Sequence, residues 1–498
     1  MPLPVISIAQ MRAWENASWA RGRQEADVIR RVGRAVVETA RRLTQPTDLL
    51  LVLSGRGNNG ADARATLELF DDRRLDTLDV KDPAADFAEL ETLLAIRPAL
   101  IIDGLFGIGL NRPLDAAWQK FIGAINASRI PVLAVDVPSG LNADTGEPQG
   151  AAIAAAVTLT VGAPKIGMLK QSAWPFVGRL EVAGEVGLID AAQAFRPAGS
   201  GNFPVASSGT SGLESPENQP TGMSALQLNW TLAEDFAGLP PARPVAGHKG
   251  TFGHVGIIAG SLGYHGAAVL AARGAQRAQP GLVTLLTQEA VYLPVAAQLQ
   301  AAMVRVWKPQ ATLDEFSALL IGPGLAAPEL PDDLKQLTQQ LWKNSPLPIV
   351  VDASALDWLV PGAFPPHAIR VLTPHPGEAA RLLKTSAAQI QSDRPTALRE
   401  LSEMFGGCWI VLKGHQTLAG RNSGGIFVNP SGNPQLAQGG AGDLLAGLLA
   451  GLLAQPAWQA DALQTLRYAV WRHGAAADAL TATRPHWVVE DLIERMET

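Results

Sequence analysis

Short apolar runs that end in a glycine, aspartate or proline turn, each followed by a segment of helical spacing, recur along both halves of this 498-residue chain and leave it few possible folds. In the first half, Leu49 to Leu53 enters Ser54-Gly55-Arg56-Gly57-Asn58-Asn59-Gly60. Leu100 to Ile102 enters Asp103-Gly104, and Ile130 to Val135 enters Asp136-Val137-Pro138-Ser139-Gly140. Ala61 to Phe70 and Leu114 to Ile125 read as helices between them. After residue 245 the rhythm returns. Val255 to Ile258 reaches Ala259-Gly260-Ser261, Ala318 to Ile321 reaches Gly322-Pro323-Gly324, and Ile349 to Val351 reaches Asp352-Ala353. Val371-Leu372-Thr373 meets Pro374-His375-Pro376-Gly377-Glu378, and Ile410 to Leu412 meets Lys413-Gly414. Continuously apolar strands separated by helices predict mostly parallel sheets covered on both faces, with ligand chemistry at the carboxyl ends of the strands. The fold class expected is α/β, as two αβα layered domains.

Two domains also suit the length, since one core rarely organises so long a chain. Gly, Ser, Pro and Asn dominate residues 197 to 226, and Ser207 to Pro216 carries too little apolar area to offset ordering, so mobility is expected there. The division read is 1–190, a linker and connecting segment 191–244, and 245–498. Hydrophobic residues make up 47% and charged residues only 17%, and a formal charge of -6 without a dense Lys/Arg tract argues against nucleic acid as a partner. The amino terminus lacks a basic and then apolar leader, so export is not expected. Leu444 to Leu453 is too short to cross a bilayer and reads as a buried helix, so no membrane partner is expected. The lone Cys408 precludes an internal disulfide and fits a reducing, cytoplasmic setting; in Cys408-Trp409-Ile410-Val411-Leu412 it reads as a structural thiol.

Chemistry concentrates between Gly432 and Gly447. Gly439-Gly440-Ala441-Gly442-Asp443 opens an apolar helix, whose first-turn amides can hold phosphate oxygens while Asp443 accepts a proton from a substrate hydroxyl. A plain glycine turn with Asp443 as a helix cap is the alternative. Asn433-Pro434 makes a constrained turn upstream, and Lys413-Gly414-His415-Gln416-Thr417 is either a phosphate-contacting turn or an exposed hairpin. His375, fixed between two prolines, is either a donor to a ligand or a hydrogen-bonded turn histidine. The glycines do not form a lysine-containing P-loop. In the first half, Ser54 to Asp62 could cradle phosphate, bind a cation through asparagine oxygens or simply turn, while Asp103 and Asp136 at neighbouring strand ends point to a polar crevice.

With these strings in hand, residues 245 to 495 resemble the ADP- or ATP-dependent NAD(P)H-hydrate dehydratases, a branch of the ribokinase-like superfamily. His248 to His254, Gly322-Pro323-Gly324, Thr373 to Glu378, Lys413 to Thr417 and Asn433 to Asp443 carry the match. The resemblance implies that Ala267, Gly324, His375 and Asp443 line a hydrated nicotinamide nucleotide. Lys413, Gly414, His415, Gln416 and Thr417, with Gly440, Ala441 and Gly442, would bind the adenine nucleotide. ADP or ATP would be the co-substrate, with Mg2+, and water would leave the 6-hydroxy adduct of NADH or NADPH. Asp443 would deprotonate the C6 hydroxyl during phosphoryl transfer.

Residues 1 to 190 resemble the NAD(P)H-hydrate epimerases, which implies a Rossmann-like domain. Asn58 to Asp62, Asp103 to Leu110 and Asp136 to Leu141 carry that match. The implied roles are potassium binding by Asn59, Asp103 and Ser139, and substrate binding by Asn58, Asn59, Gly60, Ala61 and Asp62. Gly107, Ile108, Gly109, Leu110, Asn111, Arg112 and Pro113 would surround the NAD(P)H hydrate too, together with Asp136 as the acid/base group. A homo-oligomer is implied as well. The sequence departs from the family at Ala61 and Ala63, whose methyls would obstruct a phosphate loop wherever positive φ is needed, and at Ile29-Arg30-Arg31-Val32-Gly33, where arginines replace an acidic contact. It also departs at Arg277 to Gly281 and at the strand end Asp352-Ala353-Ser354-Ala355-Leu356. Two other readings stay open at this point: a ribokinase-like small-molecule kinase, and an active dehydratase carrying a non-catalytic nucleotide-binding or assembly domain.

Overall fold

Apolar alternation settles which side of each sheet a helix covers. In a computed structural model that describes residues 2–194, 228–309 and 312–496, the chain forms two units, one within residues 3–225 and the other from residue 226 onward. Ser207 to Pro216 lies outside the described residues.

In the first unit the strands lie in the order Arg74–Asp79, Leu49–Ser54, Leu100–Gly104, Val132–Val135, Val157–Val161, Arg179–Ala183, all parallel. Leu50, Val52, Leu100, Ile102, Leu133 and Val135 face one core, shared with Val28, Val32, Val36 and Ala40. Those four recur every fourth position of the helix Glu25–Leu43, one apolar stripe at helical period. Leu51, Leu53, Ile101 and Val132 face the opposite core with Leu90, Leu94, Phe121, Ile122 and Ile125. Each such fully buried aliphatic side chain stabilises the fold by about 1.5–3 kcal/mol relative to exposure. The two-residue period of the strands thus builds the expected αβα sandwich. Strand order reverses between Leu49–Ser54 and Leu100–Gly104, which opens a crevice beyond their carboxyl ends.

In the second unit the strands run Ile426–Val428, Leu418–Gly420, Trp409–Leu412, Arg370–Leu372, Ile349–Val351, Ala318–Ile321, His254–Ile258, Leu282–Thr287, Met303–Val306 across the sheet. The strands from Trp409–Leu412 to Met303–Val306 pair in parallel; Leu418–Gly420 is antiparallel to both neighbours. Leu228–Trp230, assigned by sequence to the connecting segment, is a strand parallel to Ile426–Val428. Its three residues are too few to carry a period beside the glycine- and serine-rich stretch. Here the order reverses between His254–Ile258 and Ala318–Ile321.

The apolar segment after Gly440 is the helix Ala441–Leu453, buried from Leu444 to Leu453. Gly447 and Gly451 let it approach the helix His265–Arg277 closely, since a Cβ at Gly447 would stand 2.0 Å from the Ala271 carbonyl oxygen. Cys408 is fully buried just before Trp409–Leu412, and burial pushes its thiol up, as suits a structural role. Among the described residues no helix is long and apolar enough to cross a membrane.

Candidate functional site

In the first unit the sequence-predicted residues gather at the switch point. Asp103, ending its strand, is fully buried; its Oδ1 accepts from the Ser139 hydroxyl at 2.6 Å and its Oδ2 from the Ser139 amide at 2.9 Å. Burial raises Asp103 to about 6, against the lowering effect of those hydrogen bonds and of the Leu105 amide. Asn59 donates to the Phe106 carbonyl at 2.8 Å, while its own Oδ1 is buried without a partner. An orphaned amide oxygen close to the Phe106 carbonyl, to which the Asp103-bound Ser139 hydroxyl also reaches, is oxygen-donor chemistry that suits a hard monovalent cation.

Asn58 to Asp62 lie in the helix Asn58–Arg64. Ala61 and Ala63 are helical, so the positive φ that would make their methyls obstructive is not required there. Gly60 is the position that tolerates no side chain: a Cβ would meet the Gly55 carbonyl oxygen at 2.0 Å. Gly107 sits against Asn59, whereas Gly109, Asn111, Arg112 and Pro113 are exposed along the loop, with Ile108 and Leu110 half-buried. Arg30 pairs with Asp27 on the exposed face of its helix. The acidic groups near the crevice are Glu15 and Glu25 instead, and Glu25 accepts from Asn58 at 2.7 Å.

Asp136 adopts φ +63°, a left-handed conformation that places it just past its strand. Its Oδ1 accepts from Lys165 Nζ at 2.5 Å, Val161 N at 3.0 Å and Thr160 Oγ1 at 3.2 Å. Lys165 is fully buried. Asp62 has no such clamp: burial, then the charges of Asp136, Glu15 and Glu25, raise it to about 8, so it is a carboxylic acid at neutral pH. Lys165 and Thr160 escaped the sequence reading; the signal available was a lysine a few residues past an apolar strand, the arrangement that drew attention to Lys413.

In the second unit the ends of five adjacent parallel strands supply the site. Gly324 follows Ala318–Ile321, and its carbonyl accepts from Ser261 Oγ at 2.6 Å. A Cβ at Gly324 would lie 2.9 Å from that of Ala267, so these two meet at the switch point. His375 caps the helix Pro376–Leu383: its Nδ1 accepts from the Gly377 and Glu378 amides at 3.0 and 3.3 Å. Those bonds leave the ring proton on Nε2, the half-exposed edge, so a hydrogen-bonded turn histidine still presents an outward N–H.

Lys413 Nζ bonds Asp352 Oδ1 at 2.7 Å and lies 3.9 Å from Glu378 Oε2; Thr373 Oγ1 also donates to Asp352 Oδ1, at 2.7 Å. Burial works against the lysine charge, but Asp352 and Glu378 outweigh it and raise Lys413. Lys413 Nζ lies 3.2 Å from where a Cβ on Gly442 would be, which brings the hairpin turn to the glycine turn. Gly440, at φ +97°, precedes the helix, and Asp443 falls in its first turn. The Asp443 carboxylate has no hydrogen-bond partner among the described residues, and burial, then Asp352, raise it to about 7 despite Lys413. It is therefore not a cap.

Asp352, Thr373 and Glu378 belong to this cluster although sequence reasoning gave them no role, because a buried charge cluster depends on which strands become neighbours. Below the glycine turn, His473 is buried, lowered to about 4 by burial, and bonds the Ala441 backbone. The loop before it is tied down by Asp478, which accepts from Gly432 N and Asn433 Nδ2, both at 3.0 Å.

Residues 255–497 match the family described as NAD(P)H-hydrate dehydratase, and residues 73–167 match that described as YjeF-related protein N-terminus. The chain is 37% identical over 413 residues to the bifunctional NAD(P)H-hydrate repair enzyme Nnr of Gloeobacter violaceus, covering 77% of this chain and 71% of that one. With the enzyme of the same name from Coxiella burnetii it shares 33% over 495 residues, covering 94% and 93%. Among solved structures it is similar to the ADP/ATP-dependent NAD(P)H-hydrate dehydratase of Bacillus subtilis co-crystallized with ATP/Mg2+, at 32% identity and a TM-score of 0.46, covering 51% of this chain and 91% of that one.

Proposed function

Since the chain belongs to the bifunctional NAD(P)H-hydrate repair enzymes, we propose that residues 1–190 interconvert the R and S hydrates of NADH and NADPH and that residues 245–498 dehydrate the S hydrate at the expense of an adenine nucleotide, ADP being converted to AMP and phosphate. The observation that carries the second half is the Asp443 carboxylate, unpartnered among the described residues, on the first turn of a glycine-opened helix beside the part-buried Lys413. A base held near neutrality takes the proton of the C6 hydroxyl as that oxygen attacks the terminal phosphoryl group. The amides of Gly440, Ala441 and Gly442 and the Lys413 ammonium stabilise charge on the moving phosphoryl oxygens. Phosphate then leaves C6 as the ring nitrogen's electrons form an iminium, and loss of a C5 proton to water restores the 5,6 double bond of the dihydropyridine. His375 Nε2 donates to the nicotinamide nucleotide, and Ala267 and Gly324, lacking bulk, leave room for it. The nucleotide would carry Mg2+, which would supply further neutralisation of phosphate charge.

In the first domain Asp136 and Asp62 divide the proton work at the C6 centre, the clamped carboxylate as base and the protonated one as acid. Asn59 Oδ1, the Phe106 carbonyl, Asp103 and Ser139 would hold potassium, which supplies a fixed positive charge for the substrate's anionic groups. A cytoplasmic setting and a homo-oligomer complete the proposal.

The test supplies separated R and S hydrates with ADP, ATP or no nucleotide and follows the return of reduced-nicotinamide absorbance. Loss of both epimers with nucleotide is the expected result. Repair of S alone leaves the first domain without its reaction, and accumulation of a stable phosphorylated product would replace dehydration with kinase chemistry. Omitting potassium should slow only the R hydrate.

A further inference from the structure

Behind the turn Lys413 to Thr417 lies a guanidinium with no carboxylate. Arg394 opens the helix Arg394–Met404, is 6% exposed, and forms no ion pair among the described residues. Its Nη2 donates to the carbonyls of Leu412 at 3.0 Å and Lys413 at 3.4 Å; its Nη1 donates to those of Gln416 at 3.2 Å and His415. Its Nε is buried without a partner. Burial lowers the group only to about 10, so it stays charged at neutral pH, and its field helps burial to lower His415.

Carbonyl dipoles alone compensate a buried cation poorly, and a neutral donor would have satisfied the same oxygens at lower desolvation cost. The turn itself shows what the charge serves. Because a trans peptide is planar, a carbonyl aimed at Arg394 sends the following N–H the opposite way. With four carbonyls turned inward, the amides of Gly414, Gln416 and Thr417 face away from the guanidinium, and none has an acceptor among the described residues. Gln416 at φ +54° has the left-handed conformation that lets neighbouring amides converge in an anion-binding nest, and Gly414 at φ +135° turns the chain into it.

We propose that Arg394 is a positioning residue for the adenine nucleotide: it shapes the Lys413 to Thr417 turn into an amide nest for a phosphate group and lends that nest positive charge from behind. This rests on the reading of the second domain as nucleotide-dependent. Arg394→Lys keeps the charge and loses the four-carbonyl fork; Arg394→Met loses both. Against the unmodified full-length protein, ADP affinity measured by calorimetry should fall about 10-fold in the lysine variant and further in the methionine variant. The KM for S hydrate should stay within about twofold, because the nest contacts only the nucleotide. Folded variants that bind ADP as tightly as the unmodified protein would overturn the proposal, and so would an equal loss for both substrates. Should neither variant fold, hydrogen exchange on the unmodified protein decides: saturating ADP should slow exchange across residues 413–418, and unchanged exchange there despite measured ADP binding removes the nest. A protein that binds no ADP at all fails the nucleotide reading first.

Discussion

Asp136 and Asp443 both stand beyond the parallel strands of an αβα domain, each within reach of a lysine, yet the two lysines are used in opposite ways. Lys165 is spent on Asp136 itself and, with Thr160 and Val161, holds Oδ1 of that carboxylate in one orientation. Lys413 gives its short bond to Asp352, so Asp443 keeps its oxygens free while burial lifts it to about 7. The difference teaches that the partner set and not the residue type decides what an aspartate at a strand-end crevice presents: a clamped one is oriented through one engaged oxygen, an unclamped one keeps both oxygens free.

That contrast can be broken at Asp443 first. Asp443→Asn should cut dehydration of the S hydrate by about 10²- to 10⁴-fold while leaving ADP binding intact; turnover near that of the unmodified protein would remove the free carboxylate from the chemistry. Removing the clamp should show as stability. Lys165→Met strands a buried carboxylate and should destabilise the first domain by about 3–5 kcal/mol in denaturant unfolding, and adding Asp136→Asn should recover much of that loss. Gly447→Ala probes the scaffold behind the free aspartate: its methyl would press on the Ala271 carbonyl, and overpacking of this kind lowers stability by about 1–3 kcal/mol, readable as a lower midpoint of thermal unfolding. The smallest effects are in pH. Dehydration should rise in kcat/KM up to about pH 7 as Asp443 gives up its proton, by about tenfold per unit below that point. Epimerisation should instead fall above about pH 8 as Asp62 loses the proton it donates. Parallel profiles for the two reactions would erase the distinction drawn between the two crevices.

Much of this was legible in the chain. Strand cores such as Leu49 to Leu53 and Ile349 to Val351 are apolar at every position, and such runs between helices admit little besides a covered parallel sheet. Strand-end turns with Asn59, Asp103, Asp136, His375 and Lys413 could be picked out because each interrupts that pattern with polar groups a core cannot absorb. Leu228–Trp230 was too short to read, and Arg394 looked like any charge opening a helix.

The sequence by itself determined the layered architecture, the ends of the strands at which chemistry collects and the glycines that backbone contact demands, because these follow from local period and from steric limits on single residues. Only the tertiary structure decided that Lys165 clamps Asp136, that Lys413 turns to Asp352 and spares Asp443, and that Arg394 lies beneath a turn 18 to 22 residues away. Electrostatic character belongs to neighbours across strands, and which strands become neighbours is fixed by the order in which the sheet assembles.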